Sequence, residues 1–396
     1  MMLPPSFFVD NLGCHLRSHD AEKIKNHLLG NKLRYTELYE EANIVIVTGC
    51  LADTVKLDHS NRQITKHIES GKKIVLTGCI SENVVQSLKD HVMFIPPRHL
   101  EKIDKIIDDI YIPFHEAGEN HRIFPSESSR IYYQSIQKYT YNHTFFRKLF
   151  KNLYHRLIFK KSKPENLFFI KIGTGCAFNC SFCNTKFCFD GVISKPLQHI
   201  KNEYRELISM KAGEVVFISE DIGSYGADTG TNLIEMLANL NKSVPYNKIK
   251  WHLDALNPYW SIQYRDKLIE LIRKKKIKSI VFTIQSGSSR ILNLMNRYND
   301  VEKIEKNIKE LKKTCPAMKL SGFFMVGFPS ETEYEFGETL DFIKKIKFDE
   351  VFISCYSEFE HCQSAKIFPK VPQEEIMRRY VFAKQHLERY NIFCKN

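Results

Sequence analysis

Cys176, Cys180 and Cys183 lie close together in the stretch GTGCAFNCSFCNTKFC. Closely spaced thiolates in one loop bind either Zn²⁺ or an iron–sulfur cluster. Zinc ribbons use two C-x-x-C pairs and four ligands, whereas this loop has the spacing C-x₃-C-x₂-C and no second pair nearby. The spacing therefore favours a [4Fe–4S] cluster that is held by three cysteines and keeps one iron open, with zinc as the alternative.

Three further cysteines follow strand-like segments in the first part of the chain. The peptides NLGC, VTGC and LTGC place Cys14, Cys50 and Cys79 directly after predicted strands, each behind a glycine that permits a tight turn. The carboxyl ends of parallel strands meet at one edge of a sheet, so we expect the three thiols to converge. They either bind a cluster or metal, or are small apolar residues that end buried strands.

The segments that position these cysteines alternate between strands and helices. Between residues 6 and 112, SFFVD, NIVIVTGC and KKIVLTGC predict strands separated by helices, a pattern typical of a parallel sheet. From about residue 166, six strand-like runs are each followed by a helical segment, which predicts a partial (β/α)6 barrel with its active site at the carboxyl ends of the strands. The predicted fold class is therefore α/β, and the six runs are NLFFIKI, EVVFIS, IKWHLD, IKSIVFTI, KLSGFFMVG and EVFISCYS.

This pattern divides the chain into an N-terminal domain (1–112), a connector (113–165) and the barrel (166–396). Between Asn142 and Pro164 the connector has no acidic residue and several aromatic ones. Such a segment suits a phosphate backbone with stacked bases, and equally an amphipathic linker helix packed on the protein. Its basic residues are Arg147, Lys148, Lys151, Arg156, Lys160, Lys161 and Lys163.

The overall composition narrows the class of protein. A net charge of +12 suits a polyanionic partner, or reflects solvated lysines. A hydrophobic content of 43% excludes wholesale disorder, and no apolar run approaches the roughly 18 residues of a membrane span. The N-terminus lacks a secretory signal, so we expect a cytoplasmic protein with no membrane partner. There, eleven cysteines stay reduced unless they bind metal or carry redox chemistry.

The loop of Cys176, Cys180 and Cys183, with Phe182 beside the third cysteine and a partial barrel around it, resembles the radical SAM superfamily. This resemblance implies that S-adenosylmethionine (SAM) binds the open iron, and that an electron from an external donor then releases a 5′-deoxyadenosyl radical. Together with the N-terminal domain, the chain resembles the methylthiotransferases. That resemblance implies a second [4Fe–4S] cluster, held by Cys14, Cys50 and Cys79, which carries the sulfur to be inserted.

Three barrel segments are similar to the same family: SEDIGSYGADTGTNL, QSGSSRILNLMNR and GFPSETEYEFGETLDFI. The first resembles the branch that acts on threonylcarbamoyl-adenosine in tRNA. Polar and glycine residues at strand ends supply the donors and the close backbone approach that a zwitterionic ligand needs. By the resemblance, the SAM pocket is lined by Phe182, Glu220, Asp221, Asn257, Gln285, Ser286, Gly287 and Gly327.

The chain departs from the family pattern on the expected substrate side. We expect no C-terminal TRAM domain of the kind usual in this family, and FCFDG replaces a common Arg-Gly while SEFEHCQSAK replaces Arg-x-Gly-Thr. We expect Cys188, in FCFDG, to be no cluster ligand and to mark an altered substrate side. Cys362, in the second segment, faces the active site, where it either touches substrate or is merely buried. Three cysteines are expected to be structural, the last at a frayed terminus: Cys315, Cys355 and Cys394.

The expected reaction, by the resemblance, is insertion of a methylthio group at an unactivated C–H bond. One SAM methylates sulfur on the auxiliary cluster, and a second is cleaved to the radical. The expected substrate is threonylcarbamoyl-adenosine in tRNA, and the alternative is a peptide or small metabolite. Two other classes remain open: a radical SAM enzyme whose second cluster relays electrons or anchors substrate, and a non-catalytic binding protein stabilised by metal.

Overall fold

Two separate parallel β-sheets organise the chain, which confirms the predicted α/β class. The structure is a computed structural model that describes residues 4–50, 54–80, 82–107, 110–118, 167–243 and 248–395. The basic segment predicted between residues 142 and 164 lies outside the described residues. Within them, no helix combines the length and apolar character needed to cross a membrane.

The N-terminal sheet has five parallel strands in the order β2-β1-β3-β4-β5. Its central strand β3 is buried along its whole length, as a Val/Ile-rich strand covered on both faces must be. The strands are β1 (Ser6–Asn11), β2 (Arg34–Tyr35), β3 (Ile44–Gly49), β4 (Lys73–Gly78) and β5 (Val92–Ile95). The helices are α1 (His15–Gly30), α2 (Thr54–Glu69), α3 (Glu82–Leu88) and a 3₁₀ segment, Pro97–Ile106.

The second sheet has seven parallel strands in the order β14-β13-β12-β11-β10-β9-β6, and a short antiparallel hairpin, β7-β8, follows its first strand. The strands are β6 (Leu167–Lys171), β7 (Gly173–Thr174), β8 (Ile193–Ser194), β9 (Glu214–Ile218), β10 (Lys250–Leu256), β11 (Ile277–Gln285), β12 (Lys319–Val326), β13 (Glu350–Cys355) and β14 (Phe393–Lys395). The helices are α4 (Leu197–Ser209), α5 (Leu233–Ser243), α6 (Pro258–Gln263), α7 (Arg265–Arg273), α8 (Ser289–Leu294), α9 (Val301–Thr314), α10 (Glu333–Ile346) and α11 (Gln373–Glu388).

All six strands predicted for this sheet are present, and the seventh, β14, was missed. It pairs with β13 through Cys394 and Val351, so Cys394 is buried in a strand and the expectation of a frayed terminus was wrong. Three residues are too short a run to show the alternation that identifies a strand in a sequence. What fixes them is the edge of β13 together with the packing of α11.

The two faces of the second sheet are covered by different parts of the chain. One face carries the main core, in which helices α4–α11 pack on buried side chains such as Trp251 and Phe282. The other face meets the N-terminal domain: Leu16 of α1 packs against Leu167, Phe169, Val216 and Ile218. The first turn of α1, which starts directly after Cys14, is therefore seated on the second sheet.

Candidate functional site

The three N-terminal cysteines lie at the carboxyl ends of adjacent strands. Cys50 and Cys79 directly follow β3 and β4, and Cys14 caps the start of α1 shortly after β1. Gly78 has φ +98°, and a Cβ on it would lie 2.5 Å from the carbonyl oxygen of Gly49. The two Thr-Gly-Cys ends can therefore approach closely only because Gly78 has no side chain, and the Cys79 amide donates to the Gly49 carbonyl at 3.2 Å.

The second cysteine set lies in the loop between β7 and β8. Gly175, with φ +89°, brings this loop so near Gly191 that a Cβ would lie 1.9 Å from its carbonyl oxygen. The Cys180 thiol accepts a hydrogen bond from Arg297 Nη1 at 3.2 Å, and the Cys183 thiol lies 3.1 Å from Thr185 Oγ1. Burial, assisted by the Asp221 carboxylate, raises the pKa of Cys176 to about 12. This thiol is protonated at neutral pH, and binding to iron would release its proton.

The donors of both sets are thiols, and this chemistry fits iron–sulfur clusters. Cys176 lies close enough to Cys180 and Cys183, and Cys14 close enough to Cys79, for their charges to interact. Cys50 follows Gly49, which pairs with Gly78 directly before Cys79. No three His, Cys, Asp or Glu side chains within the described ranges are close enough to bind a single metal ion. Four thiolates on one Zn²⁺ lie about 3.8 Å apart, as the Zn–S distance requires. Sulfurs that bind different irons of a cluster are farther apart.

A buried chain of ion pairs joins the two sets. Arg17, in the first turn of α1, donates from Nη2 to Glu220 Oε1 at 2.6 Å, and Glu220 Oε2 accepts from the Gly175 amide at 2.8 Å. Arg17 Nη1 also lies 3.3 Å from Asp20 Oδ2, and Asp20 Oδ1 accepts from Lys171 Nζ at 2.6 Å. Burial raises the pKa of Asp20, but Arg17 and Lys171 outweigh it and hold that pKa below its usual value. The network therefore runs from Arg17, three residues after Cys14, through Glu220 to Gly175, the residue before Cys176.

Arg17 also has an unused hydrogen-bond donor, close to the auxiliary set (Cys14, Cys50 and Cys79). It is 1% exposed, and its Nε makes no hydrogen bond to any residue that the structure describes. Burial raises the pKa of Cys14, and the hydrogen bond to Cys188 together with burial raises the pKa of Cys79; the Arg17 charge opposes both effects. The hydrogen bond to Cys79, assisted by the Arg17 charge, lowers the pKa of Cys188. A buried donor without an acceptor is rare in native proteins. An anionic cluster at these thiols would supply one.

Two of the predicted pocket residues are fully engaged in a turn. Asp221 accepts from the Asn257 amide at 3.0 Å, from Trp260 Nε1 at 2.7 Å and from Ser224 Oγ at 2.6 Å. The Asn257 side chain caps α6 by accepting from the Tyr259 amide at 3.1 Å. Both side chains therefore shape the ends of β9 and β10. Their direct contact with SAM stays a prediction.

The remaining pocket candidates lie at the ends of β11 and β12. Ser286 Oγ lies 3.2 Å from Thr339 Oγ1, and the Gly287 amide donates to the same hydroxyl at 2.9 Å. A Cβ on Gly287 would lie 2.7 Å from the carbonyl oxygen of Glu338, so this glycine permits close packing of α10. Three candidates complete the list: Gln285 at φ +84°, Gly327 against Ile376, and Phe182 edge-on to Phe328 with ring centroids 6.5 Å apart.

The FCFDG segment contacts the N-terminal domain, which the sequence did not predict. Cys188 hydrogen-bonds with Cys79, Phe189 packs with them, and Asp190 forms an ion pair with Arg98. The segment therefore rests on the N-terminal domain, and its place on the substrate side stays a prediction. Sequence spacing could not show this contact, because Cys79 and Cys188 are brought together only by the docking of α1 on the second sheet.

Cys362 and the other cysteines are placed largely as expected. Cys362 is buried and close enough to Cys183 for the two to interact electrostatically, and burial raises its pKa to about 11. Cys315 lies between α9 and β12, and Cys355 ends β13. No sequence pattern identified Arg17, Lys171 or Arg297 as site residues, since their partners are distant in the chain.

Comparison with known proteins agrees with this architecture. The radical SAM superfamily matches residues 170–343, and the uncharacterized protein family UPF0004 matches residues 6–95. A probable threonylcarbamoyladenosine tRNA methylthiotransferase of Methanocaldococcus jannaschii is 28% identical over 364 residues, which cover 91% of this chain and 78% of that protein. The ribosomal protein uS12 methylthiotransferase RimO of Proteus mirabilis is 26% identical over 383 residues, covering 93% and 78%.

Two further comparisons extend the likeness. The tRNA-2-methylthio-N(6)-dimethylallyladenosine synthase of Thermotoga petrophila is 24% identical over 396 residues, covering 97% of this chain and 82% of that protein. The radical SAM methyltransferase TsrM of Kitasatospora setae, solved with tryptophan and a SAM analogue, has the same fold, with a TM-score of 0.58 at 13% identity and coverage of 91% and 75%.

The two matched domains and these homologues place the chain among the radical SAM enzymes. More narrowly, the homologues that match most of the chain are named methylthiotransferases, transferases that form C–S bonds. The cofactors of this family are SAM and [4Fe–4S] clusters.

Replacing Arg17 tests the network. Arg17→Met would leave the partly buried Glu220 with only the Gly175 amide as partner, and the buried Asp20 with only Lys171. We expect a loss of about 3–5 kcal/mol in the free energy of unfolding, measured with urea. Arg265→Met is the matched control, because Arg265 pairs with Glu310 at the surface. If Arg17→Met loses no more free energy of unfolding than Arg265→Met, the network contributes no more to stability than a surface ion pair.

Replacing Glu331 tests the turn at Gly327. Glu331 accepts from the Gly327 amide at 2.7 Å and pairs with Arg379 at 2.9 Å, yet burial raises its pKa to about 7 from a usual 4.5. The folded chain therefore binds this proton more tightly than the unfolded chain, and the resulting stability is present below pH 4.5 and lost as the pH rises to 7. Relative to Glu331→Gln, we expect the wild-type free energy of unfolding to fall by about 3 kcal/mol over that window.

Unfolding at several pH values between 5 and 7.5 provides the measurement. Glu270→Gln, at an exposed pair with Lys274, should keep the wild-type trend. A constant difference between wild type and Glu331→Gln across the window would contradict the assignment.

Proposed function

We propose that Cys176, Cys180 and Cys183 hold the cluster that binds SAM, and that Cys14, Cys50 and Cys79 hold the sulfur-bearing cluster. The observation that carries this division is the Arg17–Glu220–Gly175 connection, which fixes one cysteine set relative to the other. When bound, the clusters and SAM supply the radical and the sulfur. The domain bounds that go with it are 1–112 and 166–396, joined by the connector.

The protein's own groups position these reactants and protect them. Arg17 compensates negative charge at the auxiliary set, and Arg297 does the same at Cys180 through its 3.2 Å contact. Asp221 is held away from solvent by three donors, so it fixes the ends of β9 and β10 on which SAM would rest. Leu16, two residues after Cys14, packs on buried residues of β6 and β9 and excludes water from this part of the contact between α1 and the second sheet. Exclusion of water protects a radical intermediate.

The proposed site sits in a reducing compartment. Free thiols at both sets are the form that binds clusters, and they persist in the cytoplasm, where we place the enzyme. An external electron donor would supply the electron that this chemistry needs. Glu220 and Asp221 also hold the backbone around the SAM pocket in place, through the Gly175 and Asn257 amides. We assign the contacts with SAM to Phe182, Glu220, Asp221, Asn257, Gln285, Ser286, Gly287 and Gly327.

For the substrate, we propose a tRNA nucleoside of the threonylcarbamoyl-adenosine type. The net charge of +12 and the basic sequence between residues 142 and 164 support a polyanionic partner. Several homologues bear names that specify tRNA. The second candidate is a peptide, since a homologue that is 26% identical is named for a ribosomal protein.

Iron analysis tests the assignment of the two sets. After anaerobic reconstitution, the wild-type chain should bind about eight irons, and each triple Cys→Ala variant about four. Cys14/Cys50/Cys79→Ala should still cleave SAM but form no C–S bond, whereas Cys176/Cys180/Cys183→Ala should do neither. About four irons in the wild type, or loss of SAM cleavage in the first variant, would contradict the division of labour.

Nucleoside analysis tests the substrate. In a strain that lacks this gene, mass spectrometry of digested tRNA should show loss of one methylthio-nucleoside and accumulation of its unmodified precursor. Restoring the wild-type gene should return the nucleoside, and restoring Cys176→Ala should not. An unchanged tRNA profile together with a mass difference of one methylthio group in a peptide would transfer the assignment to the peptide candidate.

A further inference from the structure

The thiols of Cys79 and Cys188 are in contact, although the two residues come from different parts of the fold. Cys79 directly follows β4 of the N-terminal sheet, and Cys188 ends a 3₁₀ helix, Thr185–Cys188, in the loop between β7 and β8. The two side chains hydrogen-bond, and Cys188 Sγ also donates to the carbonyl oxygen of Ile80 at 3.7 Å. Contact between two thiols is the arrangement that disulfide formation requires.

The residues after Cys188 hold it in this position. Phe189 is buried and packs against Cys79. Asp190 forms an ion pair with Arg98, which lies in the 3₁₀ segment after β5. The contact between the two thiols is therefore supported by apolar packing and by an ion pair, and it does not depend on their hydrogen bond alone.

The two thiols differ in their access to solvent. Cys79 is 7% exposed, whereas Cys188 is only partly buried. A small oxidant such as a hydroperoxide therefore reaches Cys188 first and finds Cys79 directly behind it. An accessible thiol beside a second thiol that can resolve its oxidised form is typical of redox-sensitive cysteines.

We propose that Cys188 and Cys79 form a redox-active pair that a hydroperoxide oxidises to a disulfide. With hydrogen peroxide, the Cys188 sulfur attacks one oxygen: an S–O bond forms, the O–O bond breaks, and water leaves with the thiol proton. The Cys79 sulfur then attacks the Cys188 sulfur: the S–S bond forms, the S–O bond breaks, and a second water leaves with the Cys79 proton. The two thiols lose two electrons and the peroxide gains them, and a reducing dithiol reverses the oxidation.

The consequence of this oxidation rests on the proposed function, in which Cys79 binds the auxiliary cluster. A Cys79 sulfur in a disulfide cannot bind iron, so the auxiliary set loses one of its three thiolates. The disulfide also keeps Cys79 from oxidation to the sulfinic or sulfonic acid, which thiols do not reverse. Cys188 therefore preserves this ligand, so that the set can be loaded again after reduction.

Peptide mapping of the full-length, iron-free wild-type chain is the first test, and it needs no substitution. After brief treatment with hydrogen peroxide, the remaining thiols are alkylated and the disulfide-linked peptides are measured by mass spectrometry. We expect the Cys79–Cys188 link to be about tenfold more abundant than any other cysteine pair, because thiols in contact have a high effective concentration. Dithiothreitol should remove the link. Links from Cys79 to Cys14 or Cys50 in equal amount, or alkylation of both Cys79 and Cys188, would overturn the proposal.

Iron loading tests the consequence for the auxiliary set. Without peroxide, the wild-type chain, Cys188→Ser and the matched control Cys315→Ser should each bind about eight irons after anaerobic reconstitution. After peroxide and then dithiothreitol, the wild-type chain and Cys315→Ser should again bind about eight irons. Cys188→Ser should recover only about four, and its Cys79 peptide should carry a sulfinic acid.

The outcomes separate this inference from the proposed function. Equal recovery of iron in the three proteins after peroxide would overturn the role of Cys188 and leave the proposed function intact. About four irons in the untreated wild-type chain would instead overturn the proposed function, whichever cysteines the peroxide links.

Discussion

The position of Arg17 is the constraint on which the rest of the site depends. A guanidinium that is cut off from water must be paired, and here its partners come from both domains: Asp20 from its own helix α1 and Glu220 from the end of β9. Glu220 in turn holds the Gly175 amide, and Lys171 shares Asp20. Removing any member leaves an uncompensated buried charge, so the network fixes α1 on the second sheet.

The backbone at the strand ends allows this approach. Gly78 brings the ends of β3 and β4 together, and Gly175 brings the cluster loop against the turn at Gly191. The cysteines follow these glycines directly, so the geometry of the thiols is set by main-chain contacts that no other residue permits. The result is two thiol sets at facing strand ends, with a buried cation between them.

Much of this could be predicted from sequence because it is encoded locally. The alternation of strands and helices gave the α/β class, the repeated Thr-Gly-Cys gave two cysteines at one sheet edge, and the C-x₃-C-x₂-C spacing gave the cluster loop. The pairing of Arg17 with Glu220 joins residues from different domains, and β14 is set by the edge of β13, so neither leaves a local pattern. The contact of Cys188 with Cys79 arises the same way, through docking of one sheet on the other.

The most direct test of this arrangement is an anaerobic crystal structure of the reconstituted chain with SAM, with iron located by its anomalous scattering. The account predicts two iron sites, one enclosed by Cys14, Cys50 and Cys79 and one by Cys176, Cys180 and Cys183, with Arg17 between them and its Nε directed at the first. Iron at the second set alone, or Arg17 separated from Glu220 and turned to solvent, would contradict it.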